Sequence, residues 1–440
     1  MTARKLLILT LLLLVIGCGG RVQKTIPPLV PSAPVPSPET VTSPVPQALP
    51  PAGEAVKPPV TPKPLPALLR VPIDQLPPFE DDMDLASLEM AIAKSLSYLD
   101  RAAGSGPTRM DDRVVTVTEL KESLLALREI FRRDEPLGIK QARIRDGFDV
   151  FQSTGTDGQG RVLYTGYFEP LLNGALERTE RYRYPVYRVP DDAVVVNLWR
   201  FKEKYQFEQE VGRLRNGELI PYYSHKEIEG LGALAGRNLE IAWVDDRINL
   251  FFLHIQGSGK IRLPNGKLLQ IGYALKNGRP FQSVGRYLVE TERITPKQLS
   301  YQSIKRYLRE HPEELSEILW HNESFIFFRE VVEGPVGSLG EILTAGRSIA
   351  TDPALFPRGG MALIQLRKPI FDLEGNVKAW IPFSRFVLNQ DTGGAIKGPG
   401  RVDLFCGSGD DAELVAGSLS ERGALFFLVK KRTEDKSIQR

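Results

Sequence analysis

Asp391 and Asp403, twelve residues apart, are the side chains best suited to chemistry in this 440-residue chain. Each stands at the edge of an expected strand, and the glycine-rich Thr392-Gly-Gly-Ala-Ile-Lys-Gly398 between them can fold back tightly. Two carboxyl groups would then face one cleft. Like charges held close raise one pKa, so one carboxyl stays protonated near neutrality and can act as a general acid. That is the logic of glycosidic bond cleavage. Two other readings of the loop fit less well. Gly393 to Gly398 has the spacing of a phosphate loop, but Pro399 occupies the place of the required lysine. Asp391-Thr-Gly393 matches half of an aspartic protease dyad, yet the chain has no second Asp-Thr-Gly or Asp-Ser-Gly to complete it. The four histidines, His225, His254, His311 and His321, are too dispersed for metal-ligand spacing, so no metal or cofactor is expected.

The elements that must position these aspartates follow from periodicity. Asp84 caps a predicted helix whose stripe is Leu85, Leu88, Ile92, Leu96 and Leu99. A second stripe, Leu120, Leu124, Leu127 and Phe131, predicts another helix, with Thr118 as its N-cap. From Phe148 the texture becomes strands and turns: 161–168, 182–189 and 239–255, the last carrying Ile241, Trp243, Leu250 and Phe252. Thr295-Pro296 opens a predicted helix through Ile304 and Leu308, and Leu315, Ile318 and Leu319 mark a short one. After about Gly334 strands return at 361–366, 379–387, 401–405 and 424–429, with a turn at Glu374-Gly-Asn376, and they imply a second all-β unit.

Composition bounds the class. Charged residues at 25% and apolar residues at 42% are ordinary globular values, and the net charge of +3 advertises no nucleic-acid partner. Arg4 and Lys5 precede an apolar run from Leu6 to Ile16, shorter than the ~20 residues a membrane-spanning helix needs, so 1–17 reads as a signal peptide. The run ends at Gly17-Cys18, which resembles a bacterial lipoprotein box; Cys18 would carry lipid and place the chain on the outer membrane facing the periplasm. Eighteen of the 34 prolines fall in 21–80, so 18–78 cannot build a core and reads as a semi-rigid tether. With Cys18 lipidated, Cys406 has no disulfide partner and reads as a small buried hydrophobe.

Several motifs, in order along 148–431, resemble the membrane-bound lytic murein transglycosylase A family: Tyr164-Thr-Gly-Tyr-Phe-Glu-Pro170, Tyr184-Pro-Val-Tyr-Arg-Val-Pro190, His254-Ile-Gln-Gly-Ser-Gly259, Gly272-Tyr-Ala-Leu-Lys-Asn-Gly278, Asn322-Glu-Ser-Phe-Ile-Phe-Phe328, and Asp391 through Val402-Asp403-Leu-Phe405. The last part is similar to the three-aspartate domain, with Asp352, Asp391 and Asp403 at its three positions. The resemblance implies a mainly β fold with peripheral helices: a double-psi β-barrel from 79–170 and 334–433, with a smaller β-domain, 171–333, inserted as the other wall of a glycan groove. It implies cleavage of peptidoglycan between N-acetylmuramic acid and N-acetylglucosamine, with Asp403 as the single acid that is then the base and Asp391 as its neighbour. The muramoyl C6 hydroxyl attacks C1 and closes a 1,6-anhydro ring. Glycan contacts are expected from Thr165, Tyr167, Gln256, Ser258, Lys397 and Asp352, whose hydroxyl, amide, aromatic and charged groups suit sugars. Partners implied are the glycan strands, the outer membrane through the lipid, and cell-wall enzyme complexes. Glu169 departs from the family pattern and raises a second carboxylate in the groove, which would favour an inverting hydrolase. A noncatalytic wall-binding lipoprotein is the other alternative.

Overall fold

A computed structural model describes residues 65–102, 106–205 and 209–432. The expected signal peptide, Cys18 and most of the tether lie outside the described residues. The end of the expected tether is part of the fold: Leu68–Arg70 pairs antiparallel with Phe151–Ser153, and Leu68 is buried. Proline spacing does not stop a three-residue edge strand whose alternate residue reaches a core.

Six strands close on themselves. In ring order they are Val162–Glu169, Ser420–Lys430, Met361–Phe371, Val377–Asp391, Ser348–Ala350 and Arg401–Ser408, which returns to the first. Arg401–Ser408 runs parallel to Val162–Glu169, as does Ser348–Ala350 to Val377–Asp391; the other neighbours are antiparallel. Closure removes the free edges that an open sheet of this size would expose. Alternate residues such as Tyr164, Leu363, Phe386, Val402 and Phe427 fill one core, which also takes the apolar faces of two helices.

Those helices match their stripes. Leu85–Arg101 is capped by Asp84, whose side chain accepts from the Ser87 amide, and buries Leu88, Ile92 and Leu99 while Leu85 stays exposed. Val117–Arg132 begins two residues earlier than expected, because Thr116 forms a capping box with Glu119, satisfying two backbone amides where Thr118 would satisfy one.

A second sheet is drawn wholly from 171–330, in the order Ile326–Glu330, Leu268–Lys276, Ser258–Arg262, Leu171–Ala175, Glu240–Val244 and Tyr184–Tyr187. The chain passes from barrel to sheet across the single residue Pro170. A correction falls in this region: 239–255 is not one strand but Glu240–Val244 followed by the helix Arg247–Gln256. Asp246 caps that helix by accepting from the Ile248 and Asn249 amides, and Gly257 ends it in the left-handed conformation at φ 79°. A run apolar on nearly every face carries no period, so length and caps decide the outcome. Thr295-Pro296 likewise opens only the short turn Pro296–Gln298; the helix Tyr301–Glu310 starts afresh at a Ser300–Ser303 capping box. The C-terminal unit is also not all-β, since Asp410–Ser418 is helical. Among the described residues no helix is long and apolar enough to cross a membrane.

Candidate active site

Strand register assembles the site. Ala350, in the short strand Ser348–Ala350, pairs with Asp391 on one side and with Asp403 on the other. Asp403 pairs in turn with Thr165, and Thr165 with Ser420. One transverse row therefore carries both aspartates and a threonine on neighbouring strands, since residues directly opposite share a face. A bulge sets that row: Ile349 pairs with Asn389 but Ala350 pairs with Asp391, so Gln390 is the extra residue. Gln390 turns into the core, accepting from Ser348 Oγ at 2.6 Å and donating to Ala91 O at 2.8 Å, which turns Asp391 outward.

The two carboxyls are not in contact. One strand separates theirs, so their backbones stand about 10 Å apart. The expectation that close like charge raises one of them is corrected here. Burial is the main cause that pushes Asp403 up to about 6; the Thr165 hydrogen bond and the Arg401 charge hold it down, and the Asp391 charge adds the smallest push. Thr165 Oγ1 donates to Asp403 Oδ1 at 2.8 Å, and Arg401 donates to Thr165 Oγ1 at 3.2 Å. Asp403 is thus a half-buried carboxyl with one oxygen held by a hydroxyl. About half of it is protonated at pH 6 and about a tenth at pH 7.

Asp391 is engaged differently. It accepts from Tyr167 Oη at 2.8 Å, from the Ser338 amide at 2.8 Å and from the Thr392 amide at 2.9 Å. Burial raises its pKa too, against those three bonds. Tyr167 lies tilted against Phe405, ring centroids 5.3 Å apart, so the hydroxyl is aimed by packing.

The remaining expected residues divide into groove and loop. Gln256 ends its helix with Oε1 accepting from the Phe168 amide at 3.0 Å, which fixes the orientation of its side-chain amide. Ser258 follows on its strand opposite Gly272 and is buried. Lys397 is exposed at the tip of the loop between the two aspartates. Asp352 is 8% exposed, with Oδ2 accepting from the Gly398 amide at 2.8 Å and Oδ1 from the Ala354 amide at 3.1 Å. Both its oxygens accept from backbone amides, which ties it to the Lys397 loop.

Two residues of the motifs are ruled out as proton donors by their surroundings. Burial drives His254 down to about 3, and its Nδ1 accepts from the Ile326 amide at 3.3 Å, so the ring is neutral. Glu169 is 0% exposed. Its carboxylate meets Lys260 Nζ at 3.0 Å and Ser408 Oγ at 2.6 Å and accepts a bond from Gln270, leaving it no route to a water or a glycan.

Arg401 and Ser338 were missed at the sequence level. Arg401 could have been found, since two residues before Asp403 on a strand is the same face. Ser338 could not, because its loop reaches Asp391 from 53 positions away.

The geometry has relatives. The MltA specific insert domain matches residues 163–329, and the 3D domain matches residues 347–429. Membrane-bound lytic murein transglycosylase A of Escherichia coli K12 is 30% identical over 285 residues, spanning 64% of this chain and 69% of the relative. The protein of the same name from Vibrio cholerae gives 30% identity over the same length and the same shares. A crystal structure of membrane-bound lytic murein transglycosylase from Agrobacterium tumefaciens superposes with TM-score 0.68 at 30% identity, covering 84% of this chain and 99% of that one. E. coli MltA with bound chitohexaose shares the fold, with TM-score 0.61 at 24% identity over 79% of this chain and 91% of that one.

Proposed function

The chain belongs to the membrane-bound lytic murein transglycosylase A family, and from that premise we propose how its residues divide the reaction. It cleaves the β-1,4 bond between N-acetylmuramic acid and N-acetylglucosamine in peptidoglycan and leaves a 1,6-anhydromuramoyl end. Protonated Asp403 gives its proton to the glycosidic oxygen as the bond from C1 to that oxygen breaks, and N-acetylglucosamine departs with a free hydroxyl. The carboxylate left behind takes the proton of the muramoyl C6 hydroxyl, whose oxygen bonds to C1. One carboxyl is used twice, and no water is consumed.

The observation that carries this division is the isolation of Asp403. Thr165 takes only its Oδ1, and among the described residues no hydrogen bond reaches its Oδ2, whereas both oxygens of Asp391, Asp352 and Glu169 accept from donors; burial pushes Asp403 up to about 6. An inverting hydrolase needs a second free carboxylate to activate water. Asp391 instead fixes Tyr167 and the Ser338 loop beside the acid. Thr165, Tyr167, Gln256, Ser258 and Lys397 contact the glycan, with Asp352 acting through the Lys397 loop.

We take the closed barrel to be of the double-psi type, a reading its two parallel strand pairs support, and the sheet built from 171–333 to form the other wall of the groove. Cys18 anchors the chain by lipid to the outer membrane, in the periplasm, where glycan strands and other cell-wall enzymes are its partners. Mass spectrometry of purified sacculi digested by the enzyme tests the reaction. Anhydromuramoyl ends are expected; reducing muramoyl ends would mean that water attacks.

A further inference from the structure

The single residue between barrel and second sheet, Pro170, follows a carboxylate that is buried on all sides. Glu169 ends the strand that also carries Thr165, Tyr167 and Phe168, the residues bonded to Asp403, Asp391 and Gln256 respectively. On the barrel side it pairs in register with Ser408, five positions after Asp403 on the same strand, and Ser408 Oγ donates to Glu169 Oε2 at 2.6 Å. On the other side it is gripped by Lys260 and Gln270, which face each other as a cross-strand pair of the second sheet. The Lys260 amide adds a bond of 2.9 Å to Pro170 O. Gln256 and Ser258 lie just before Lys260 along the chain.

From this clasp we infer that Glu169 is a positioning residue: the Glu169–Lys260 pair fixes the wall bearing Gln256 and Ser258 at its working distance from the strand bearing Asp403. A buried carboxylate is costly unless a cation and hydrogen bonds compensate it, and here one cation and two neutral donors do so from both lobes at once. A clasp of that kind tolerates one separation only. Gln270 and Lys260 cannot both reach the carboxylate if the wall moves outward by an ångström or two, because hydrogen bonds fail steeply beyond about 3.5 Å. Groove width is therefore set by a residue that touches neither sugar nor acid. This rests on the proposed reading of the groove.

The test separates three roles. Glu169→Gln keeps shape but removes the charge, and it should raise KM for glycan strands about tenfold while kcat falls less than threefold and the pH profile stays put, since the surroundings of Asp403 are untouched. Glu169→Gln with Lys260→Met removes both charges together and should leave KM raised about tenfold, because the ionic clasp is gone there too; a return to wild-type KM would mean that the stranded Lys260 charge, and not the position of the wall, had caused the rise, and would overturn the inference. Gln270→Ala, which leaves the ion pair intact, should raise KM about threefold, and it carries the same test if Glu169→Gln does not fold. Binding is read separately from turnover by titrating chitohexaose into Asp403→Asn with and without Glu169→Gln, where the dissociation constant should weaken about tenfold. For Glu169→Gln, a fall in kcat with KM unchanged, a moved pH profile, or a folded protein with unchanged KM and affinity would each overturn the inference. Failure of wild type to form anhydro ends would instead strike the reaction and leave the binding comparison standing.

Discussion

Thr165 and Asp391 act on the Asp403 carboxyl with opposite signs, and that opposition can be measured. The Thr165 hydroxyl stabilises the carboxylate, so Thr165→Val should raise the Asp403 pKa and move the alkaline limb of kcat/KM upward by about 0.5–1 pH unit, the worth of one hydrogen bond. Removing the Asp391 charge should move the same limb downward, and by less, because that charge is the smallest of the causes acting on Asp403. Activity in the wild type should fall as pH rises through about 6, where the acid loses the proton it must donate. The same shift governs stability. An acid whose folded pKa lies above its ordinary value of 3.8 costs nothing while protonated, and stability is lost as pH rises from there through about 6. Asp403→Asn removes that cost. Its melting temperature should equal wild type at pH 3.5 and exceed it at pH 7, by about 1–2 kcal/mol of stability after allowance for partial exposure. A variant less stable than wild type at pH 7 would mean that the carboxylate is structurally required. At this scale the sequence shows which side chains matter but not why: Asp391 and Asp403 are legible as a pair, yet burial, the chief cause of the raised pKa, appears only once strands fold around them.

The helix Arg247–Gln256 carries Gln256 to the groove, and its ends set where the amide points. Asp246→Ala removes the acceptor for two first-turn amides and should cost about 1 kcal/mol of stability. Because the helix also packs beside the Thr165 strand through the Gln256 bond to Phe168, KM should rise in parallel, by roughly threefold. Unchanged KM in the folded variant would detach the helix from substrate binding. This element was the least legible of all. Its run Ile248 to Ile255 has apolar residues on most faces, so a strand reading and a helix reading fit equally, and Asp246 before it and Gly257 after it are the local signals between them. The bulge at Gln390 was also hidden, since a one-residue insertion in pairing depends on what the partner strand offers. By contrast Asp84 with its leucine stripe, and the strands expected at 161–168 and 401–405 and found at 162–169 and 401–408, could be read directly, because cap and period agree with the core they meet.

The whole molecule joins a wall-cutting groove to a proposed anchor at Cys18. The motivating feature is the short apolar run ending in Gly17-Cys18, followed by the segment that holds eighteen of the 34 prolines. Cys18→Ala should release the protein from the membrane fraction without changing its specific activity on solubilised glycan, and a variant that stays membrane-bound would contradict the anchor. Periodicity alone does not show the division between barrel and second sheet, which only the family resemblance implied, because it rests on long-range pairing: 171–330 alone forms the second sheet while 162–169 crosses to join strands more than two hundred positions later. The most direct measurement is release of 1,6-anhydromuropeptides from purified sacculi by Asp403→Asn, with folding checked by circular dichroism and chitohexaose binding. General acid and base help is worth ~10² to 10⁴ in rate for each role, so a folded, glycan-binding variant should lose at least about a thousandfold of its turnover. Release at near wild-type rate would contradict both the assignment of Asp403 and the use of one carboxyl as acid and then base.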